Sequence, residues 1–456
     1  MKRTKLPIHL HTKPDYLFSG HTLAALIAPL IIDLFLTFFV GMLDSIMVST
    51  VDESAVSGIS LVDQVVQLVI MVFSAMATGG AVVCGQYLGA KKRDKACEAS
   101  TQLVWLMFLC GIGVAIAVFL LRHLILQHVF GKITDQVYAY ADKYMILCSL
   151  SIPMLAVHQA GTAVFRTMGN SKNPMWISLM MNIINFGGNA ALIYGAGMDT
   201  DGAGISTLAS RTAAALIVTL MLLDRRRTLH YLRSRFRPVG SLIRRILYVA
   251  IPNGLENGMF QLGKIALLSL VSTYGTNAIT ANAITQNMAQ IQLIPAMAVN
   301  MAVTTVISRC VGYGDVQQVR YYNQLLLKIM YLATLLISYL VFFAMPWILI
   351  LYHATPPTCH LTMLMMRWHT FGAISLWPLA FEFPQALRAA GDVTFPMITS
   401  IITMWCVRIM GAYLLARVFG MGALSPWIAM VMDFVVRTVI FQLRWRSGRW
   451  TNKKVI

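Results

Sequence analysis

Long apolar runs alternate with short charged connectors along the whole chain. Leu23–Val40, Leu103–Leu121 and Leu325–Leu351 are nearly uninterrupted, and they lack the period-2 or narrow period-3.6 stripes of elements that face water. Apolar runs of about 18 residues or more read as membrane-spanning helices. The short alternating segments of a β-barrel are absent. The pattern predicts twelve spans, over 21–48, 56–84, 99–127, 137–164, 175–196, 203–224, 243–272, 280–309, 322–351, 360–388, 395–419 and 423–446. Several are longer than the roughly 20 residues a bilayer needs, so tilt or protrusion is expected. The predicted class is an all-α integral membrane protein.

The connectors alternate in charge. One set carries Lys2, Arg3, Lys5 and Lys13, then Lys91, Lys92, Arg93 and Lys95, then Arg166 and Lys172. It continues with Arg225–Arg227, Arg244, Arg245 and Arg320, and ends with Arg444, Arg446, Arg449, Lys453 and Lys454. The other set holds Asp52, Glu53, Asp199 and Asp201, with Arg122 and Lys132 as its basic exceptions. The positive-inside rule puts the basic set in the cytoplasm. Both termini then fall inside, as an even number of spans requires. A multi-pass protein of a bacterial inner membrane is expected.

Two loop signatures recur. Gln86-Tyr-Leu-Gly89 at the end of span 2 returns as Arg309-Cys-Val-Gly312 at the end of span 8, 223 positions later. Arg166-Thr-Met-Gly169 returns as Arg388-Ala-Ala-Gly391, 222 positions later. A near-constant offset in two separate loops indicates an internal duplication. The offset contains six spans, an even number, so the halves are parallel repeats about an axis along the membrane normal. The expected division is a first lobe over 1–223, a basic linker over 224–245 and a second lobe over 246–456, with a cleft between the lobes.

Composition narrows the function classes. The chain has 456 residues, 57% hydrophobic and only 12% charged, with mean hydropathy +0.68, against about 25% charged in soluble domains. A net charge of +18 would suggest nucleic acid in a soluble protein. Here the basic residues lie between hydrophobic runs, so they are topology signals and no nucleic-acid partner is expected. No phosphate-binding loop or HExxH motif is present. The seven cysteines are scattered without a CxxC, so neither a disulfide framework nor a metal site is expected. No clustered catalytic motif suggests an enzyme, and no cofactor is expected.

The candidate chemistry lies in polar residues within the spans, which are costly in hydrocarbon and usually face a cavity or a partner. Asp33 and Asp44 share nearly one face of span 1, about 16 Å apart along its axis. Asn182, Asn185 and Asn189 line one face of span 5, either as packing contacts between helices or as ligands for a cation or a protonated acid. Thr207 on span 6 could add a hydroxyl. Glu256 and Lys264 on span 7 are about 80° apart around the helix, so no direct pair is expected. Glu382, Arg408, Gln64, Gln67 and Gln286 are further candidates for lining the cleft, and the two glutamines of span 2 are accompanied by Asp63. Asp433 and Arg437, four residues apart, suggest a local structural pair. The 29 methionines suit either ordinary packing or an adaptable apolar pocket.

Together these pieces resemble the multidrug and toxic compound extrusion family over nearly the whole chain. Pro29 with Gly41-Met-Leu-Asp44 is similar to its first helix, and Ala77-Thr-Gly-Gly with Gln86-Tyr-Leu-Gly89 to its second. Arg166-Thr-Met-Gly-Asn170 and Leu387-Arg-Ala-Ala-Gly-Asp392 resemble the ends of its fourth and tenth helices. Ile251-Pro-Asn-Gly-Leu-Glu256, continuing to Lys264, resembles its seventh. The resemblance implies two six-helix lobes, alternating access, and export of small organic molecules driven by Na⁺ or H⁺ entry. It implies a cation site at Asp44, Asn185, Asn189 and Thr207, with Asp44 as the possible Na⁺ ligand. Many members carry Asp where this chain has Asn189, which removes one negative charge. The acids some members place on helices 7 and 10 correspond to about Phe260 and to Trp377 here, so those roles are not carried to Glu256 or Glu382. The expected substrate is a lipophilic cation held by acidic cleft residues, and the expected unit is a monomer. The alternative is a flippase or exporter of lipid-linked or lipid-like compounds, which would use a basic cleft for phosphate.

Overall fold

The computed structural model describes residues 16–49, 53–129, 134–232 and 238–456; the side chains of 42–46, 48, 49, 53 and 129 fall outside this set. The described residues form helices, in chain order α1 (Gly20–Ser49), α2 (Glu53–Gly89), α3 (Arg93–Leu124), α4 (Asp135–Thr167), α5 (Lys172–Asn189), α6 (Asp199–Leu222) and α7 (Gly240–Ser272). The series continues with α8 (Thr276–Tyr313), α9 (Val316–Leu351), α10 (Pro356–Ser375), α11 (Trp377–Ala390), α12 (Thr394–Ile402), α13 (Met410–Arg417) and α14 (Ser425–Arg446). α12 and α13 are one rod joined by a π-helical segment, Thr403–Ile409. α10 and α11 form one broken crossing. Twelve membrane-length segments result among the described residues, six in each half.

Ten of them are long and apolar enough to cross a bilayer on those grounds alone. The exceptions are α7 and the α10–α11 pair. α7 carries Arg244, Arg245, Glu256 and Lys264. Span 10, expected as one helix, breaks at Leu376, where Pro378 follows at the start of α11 and cannot donate a backbone hydrogen bond.

The repeat is visible in the packing. The most apolar stretches of α2 and α8 are 67% and 72% buried, whereas those of α3 and α9 are 17% and 28% buried. The first pair is therefore central and the second faces lipid. Gly169 and Gly391 both end their helices with positive φ, +84° and +101°, which explains the recurring Arg-x-x-Gly: the residue after the helix takes the left-handed conformation that glycine adopts without steric cost.

The first helix of each half crosses over. Leu23, Leu26, Ile27 and Leu30 of α1 pack into the core built by α8, α9 and α11. Leu242, Ile246 and Ala250 of α7 pack into the core of α2, α3 and α4. In a bilayer such contacts gain from close packing rather than from release of water.

The halves meet tightly on the face that carries residues 16 and 456. A methyl group on Gly89 would overlap the Arg309 carbonyl oxygen, and one on Gly312 would overlap the Gln86 carbonyl oxygen. The recurring motif is thus a reciprocal helix crossing that requires glycine on both sides. The Gln86 side chain donates to the Ala389 carbonyl (3.0 Å) and accepts from the Val455 amide (3.0 Å). On the same face the Tyr322 hydroxyl bonds both the amide and the carbonyl of Phe18 (2.8 and 2.7 Å). Phe18 and Val455 thus both reinforce this closure.

Candidate functional site

Two polar cavities lie on the far side of that crossing. The first, about 290 Å³, sits inside the N-terminal half among α1, α2, α4, α5 and α6. Asn182, Asn185 and Asn189 all line it, so the amide stripe of α5 faces a cavity. Asn185 donates to the Thr207 hydroxyl (3.3 Å), and Ser206 donates to the Asn185 carbonyl (2.6 Å). Those bonds fix α5 against α6. Asp63 and Gln67, four residues apart on α2, enter from the opposite wall. Gly41 of α1 also lines the cavity; Asp44 lies about one turn further along α1, and its side chain is outside the described residues.

The sequence reading gave no weight to Arg211. It lies one turn from Thr207 on the same face of α6, lines the cavity, and donates to Ser151 (2.7 Å). An arginine within a span was the signal available. Asn185, Asn189 and Thr207, drawn from two helices, do share one cavity, but they share it with a fixed positive charge.

The second cavity, about 470 Å³, is the cleft between the halves, lined by α2, α4, α7, α8 and α11. Met71, Met297 and Met301 with Phe260 and Phe381 supply its apolar wall. Its charged residues are Arg166, Glu256, Lys264 and Arg388. Arg388 donates to both Glu256 carboxylate oxygens, at 2.6 and 2.7 Å. Gln385 accepts from Arg388 (2.8 Å) and donates to Thr304 (2.6 Å). Arg388 stood in a quoted motif but was not a candidate; the doubling of Arg-x-x-Gly was the signal for it.

The acidic lining expected from sequence is not what encloses this cleft: three cationic side chains face one carboxylate. The other acids lie elsewhere. Asp33 sits on α1, where it feels the charge of Arg166, and it lines neither cavity. Glu382 is fully buried and accepts from Asn323 (3.3 Å); it points away from the cleft, into the packing of α11 against α9. Gln64 and Gln286 are exposed and line neither cavity. Of Asp63, Gln64 and Gln67 on α2, Asp63 and Gln67, about 40° apart around the helix, are the ones that line the first-half cavity. Arg408 lies behind the cleft wall, with its guanidinium 5.8 Å from the Phe260 ring centre. Asp433 and Arg437 form a buried pair at 2.8 Å, and Arg437 also donates to the Ser400 hydroxyl (3.1 Å) and carbonyl (2.8 Å). Among the described residues, no group of three or more His, Cys, Asp or Glu is placed to hold a metal ion.

Comparison with known proteins matches this architecture. The MatE family model aligns twice, to residues 29–190 and 252–414. The chain belongs to the MatE family, the multidrug and toxic compound extrusion transporters. The second MatE repeat starts 223 positions after the first (29 to 252), the same offset as the loop signatures. Transporter YisQ of Bacillus subtilis is 25% identical over 95% of this chain and 95% of its own. The probable multidrug resistance protein NorM of Thermotoga maritima is 24% identical over 91% of this chain and 90% of its own. An outward-facing multidrug resistance MATE transporter structure superposes with TM-score 0.88 at 17% identity, covering 94% of this chain and 96% of that one. This MatE protein therefore has the fold of two parallel repeats, spans the membrane many times, and belongs to a family of transporters rather than enzymes.

Proposed function

We propose that this MatE-family protein is a secondary antiporter of the bacterial cell membrane that exports small amphipathic organic compounds by alternating access, in exchange for inward H⁺ or Na⁺. The carrying observation is the pair of separate polar cavities beside one closed helix crossing. A coupling cavity in the first half and a cleft between the halves are what such exchange needs. The basic connectors support placing the face with both termini in the cytoplasm. On that orientation the glycine crossing seals the cytoplasmic side, and the cleft belongs to an outward-open state. A lobe boundary in the basic 224–245 segment fits the gap between α6 and α7. The cleft is built within one chain, which supports a functional monomer.

Coupling is assigned to Asp44, Asn185, Asn189 and Thr207, with Asp63 in the same lining. Neutral Asn189 and the guanidinium of Arg211 disfavour a bound metal cation more than they disfavour a carboxyl proton. The proton is the coupling ion this lining supports better. Methionines, phenyl rings and amides around the cleft support a broad amphipathic substrate range, in keeping with the names of the relatives. The lipophilic cation expected from sequence finds little support in a cleft with one carboxylate, and the basic lining instead favours the lipid-like reading among the alternatives.

The test is purified protein in proteoliposomes with Na⁺ and H⁺ gradients imposed separately and a fluorescent amphipathic reporter. Asp44→Asn is expected to abolish gradient-driven transport while leaving expression and folding intact. Undiminished transport in that variant would reject the coupling assignment.

A further inference from the structure

We infer that the central cleft contains a binding subsite for an amphipathic organic anion, centred on the ammonium group of Lys264; this rests on the transport reading above and names its substrate class. Three acids lie around the cleft and the wall behind α7, and each has an arginine to answer. Glu256 is held by Arg388 at 2.6 Å, and Asp433 by Arg437 at 2.8 Å. Asp33 acts on Arg166.

Two cations remain over. Lys264 lines the cleft and makes no ion pair among the described residues. Arg408 is close enough behind it for their charges to interact, and its nearest carboxylate, Asp433, is already engaged by Arg437. Phe260 forms the partition. Its ring lies 5.8 Å from the Arg408 guanidinium carbon and 5.0 Å from that of Arg437, while the residue itself lines the cleft.

Two uncompensated cations held together at membrane depth are expensive, and they attract an anion in this low-dielectric setting more strongly than in water. Unpartnered polar atoms of both kinds occur here: Asn300 Oδ1, which lines the cleft, and Asp433 Oδ2 have no hydrogen-bond partner among the described residues. The Nε hydrogens of Arg388 and Arg408 have no hydrogen-bond partner among the described residues. Asn253, Asn257, Gln261 and Lys264 succeed one another at three- and four-residue spacing on α7 and all line the cleft, so one helix face presents amide donors leading to the ammonium. Met297, Met301 and Phe381 stand opposite as an apolar wall. A carboxylate, sulfonate or phosphate on an apolar body matches both surfaces. A cation would meet Lys264 with no carboxylate free to offset it.

The experiment uses a matched pair of dansyl probes with the same alkyl body, one ending in a carboxylate and the other in a trimethylammonium group. Binding to the full-length protein in neutral detergent is measured by fluorescence, and transport of each probe is measured in proteoliposomes under an imposed H⁺ gradient. The carboxylate is expected to bind at least tenfold more tightly than the ammonium. Lys264→Met should remove that preference, Lys264→Arg should keep it, and Lys264→Glu should reverse it. Equal binding of the two probes, preference for the cation, or indifference of the preference to Lys264→Met overturns the subsite. Carboxylate preference in binding without gradient-driven movement of either probe would uphold the subsite and sink the antiport reading instead. A parallel arm follows flipping of a fluorescent phosphatidylglycerol. Movement that depends on Lys264 assigns the anion to a lipid headgroup, and its absence with carboxylate transport assigns it to a free amphiphile.

Discussion

The two halves of the molecule are built on one plan and treat charge in opposite ways. In the first half, Asn185 faces a cavity of about 290 Å³. Its counterpart 223 positions on is Arg408, half-buried behind Phe260. Ser210 lines the same first-half cavity, and its counterpart is Asp433, fully buried against Arg437. The first half thus keeps an open space among amides, with Asp63 and Arg211 also in its lining, where the second half places Arg408 and Asp433. The same contrast marks the acid and arginine that each half brings together. Glu256 grips Arg388 with both oxygens at 2.6 and 2.7 Å. Asp33 and Arg166, at the corresponding places, act on each other without a direct ion pair. One pair is joined by hydrogen bonds and the other is not.

The contrast can be broken from its strongest point downward. Asp433→Asn removes the carboxylate paired with Arg437 at a fully buried site, and should destabilise the protein by about 3–5 kcal/mol. The equivalent change in the first half, Ser210→Ala, should cost about 1 kcal/mol, the worth of its hydrogen bond to the Thr207 carbonyl. Unfolding free energies in detergent micelles would measure both. Similar losses would mean that the first-half cavity is packed as rigidly as the second-half network. The double variant Asp433→Asn with Arg437→Met should recover part of the loss.

Next in size, Glu256→Gln should cost about 1.5–3 kcal/mol, because it weakens a charged, bidentate hydrogen bond that is about nine-tenths buried. Asp33→Asn should cost little stability but slow transport, which separates a fixed strut from a moving one. Equal stability losses in the two would erase that distinction. Smallest is the amide stripe. Asn185→Ala should reduce gradient coupling more than Asn182→Ala, since Asn185 ties α5 to Thr207 at 3.3 Å while Asn182 Nδ2 has no partner among the described residues. Transport under an imposed H⁺ gradient, with expression matched, measures the difference.

The sequence by itself determined the architecture. Helices in a membrane must satisfy their own backbone, so runs such as Leu103–Leu121 and Leu325–Leu351 declare their state without reference to the rest of the chain. The doubled Gln86/Arg309 and Arg166/Arg388 signatures declared the repeat, because the same turn and the same close crossing must be encoded twice. The amide face of α5 was equally legible, since three residues at helical spacing share a side whatever surrounds them. What tertiary structure alone decided was the sign of the cleft. Glu256, Glu382, Asp33 and Lys264 are all polar residues within spans, and nothing local separates the acid neutralised by Arg388, the one buried beside Asn323, the one near the charge of Arg166, and the lysine that has no ion pair among the described residues. Groups far apart in the chain settle these cases: Arg388 lies 132 residues from Glu256 and Asn323 lies 59 from Glu382. Electrostatics depends on distances between helices, and a one-dimensional pattern does not contain them.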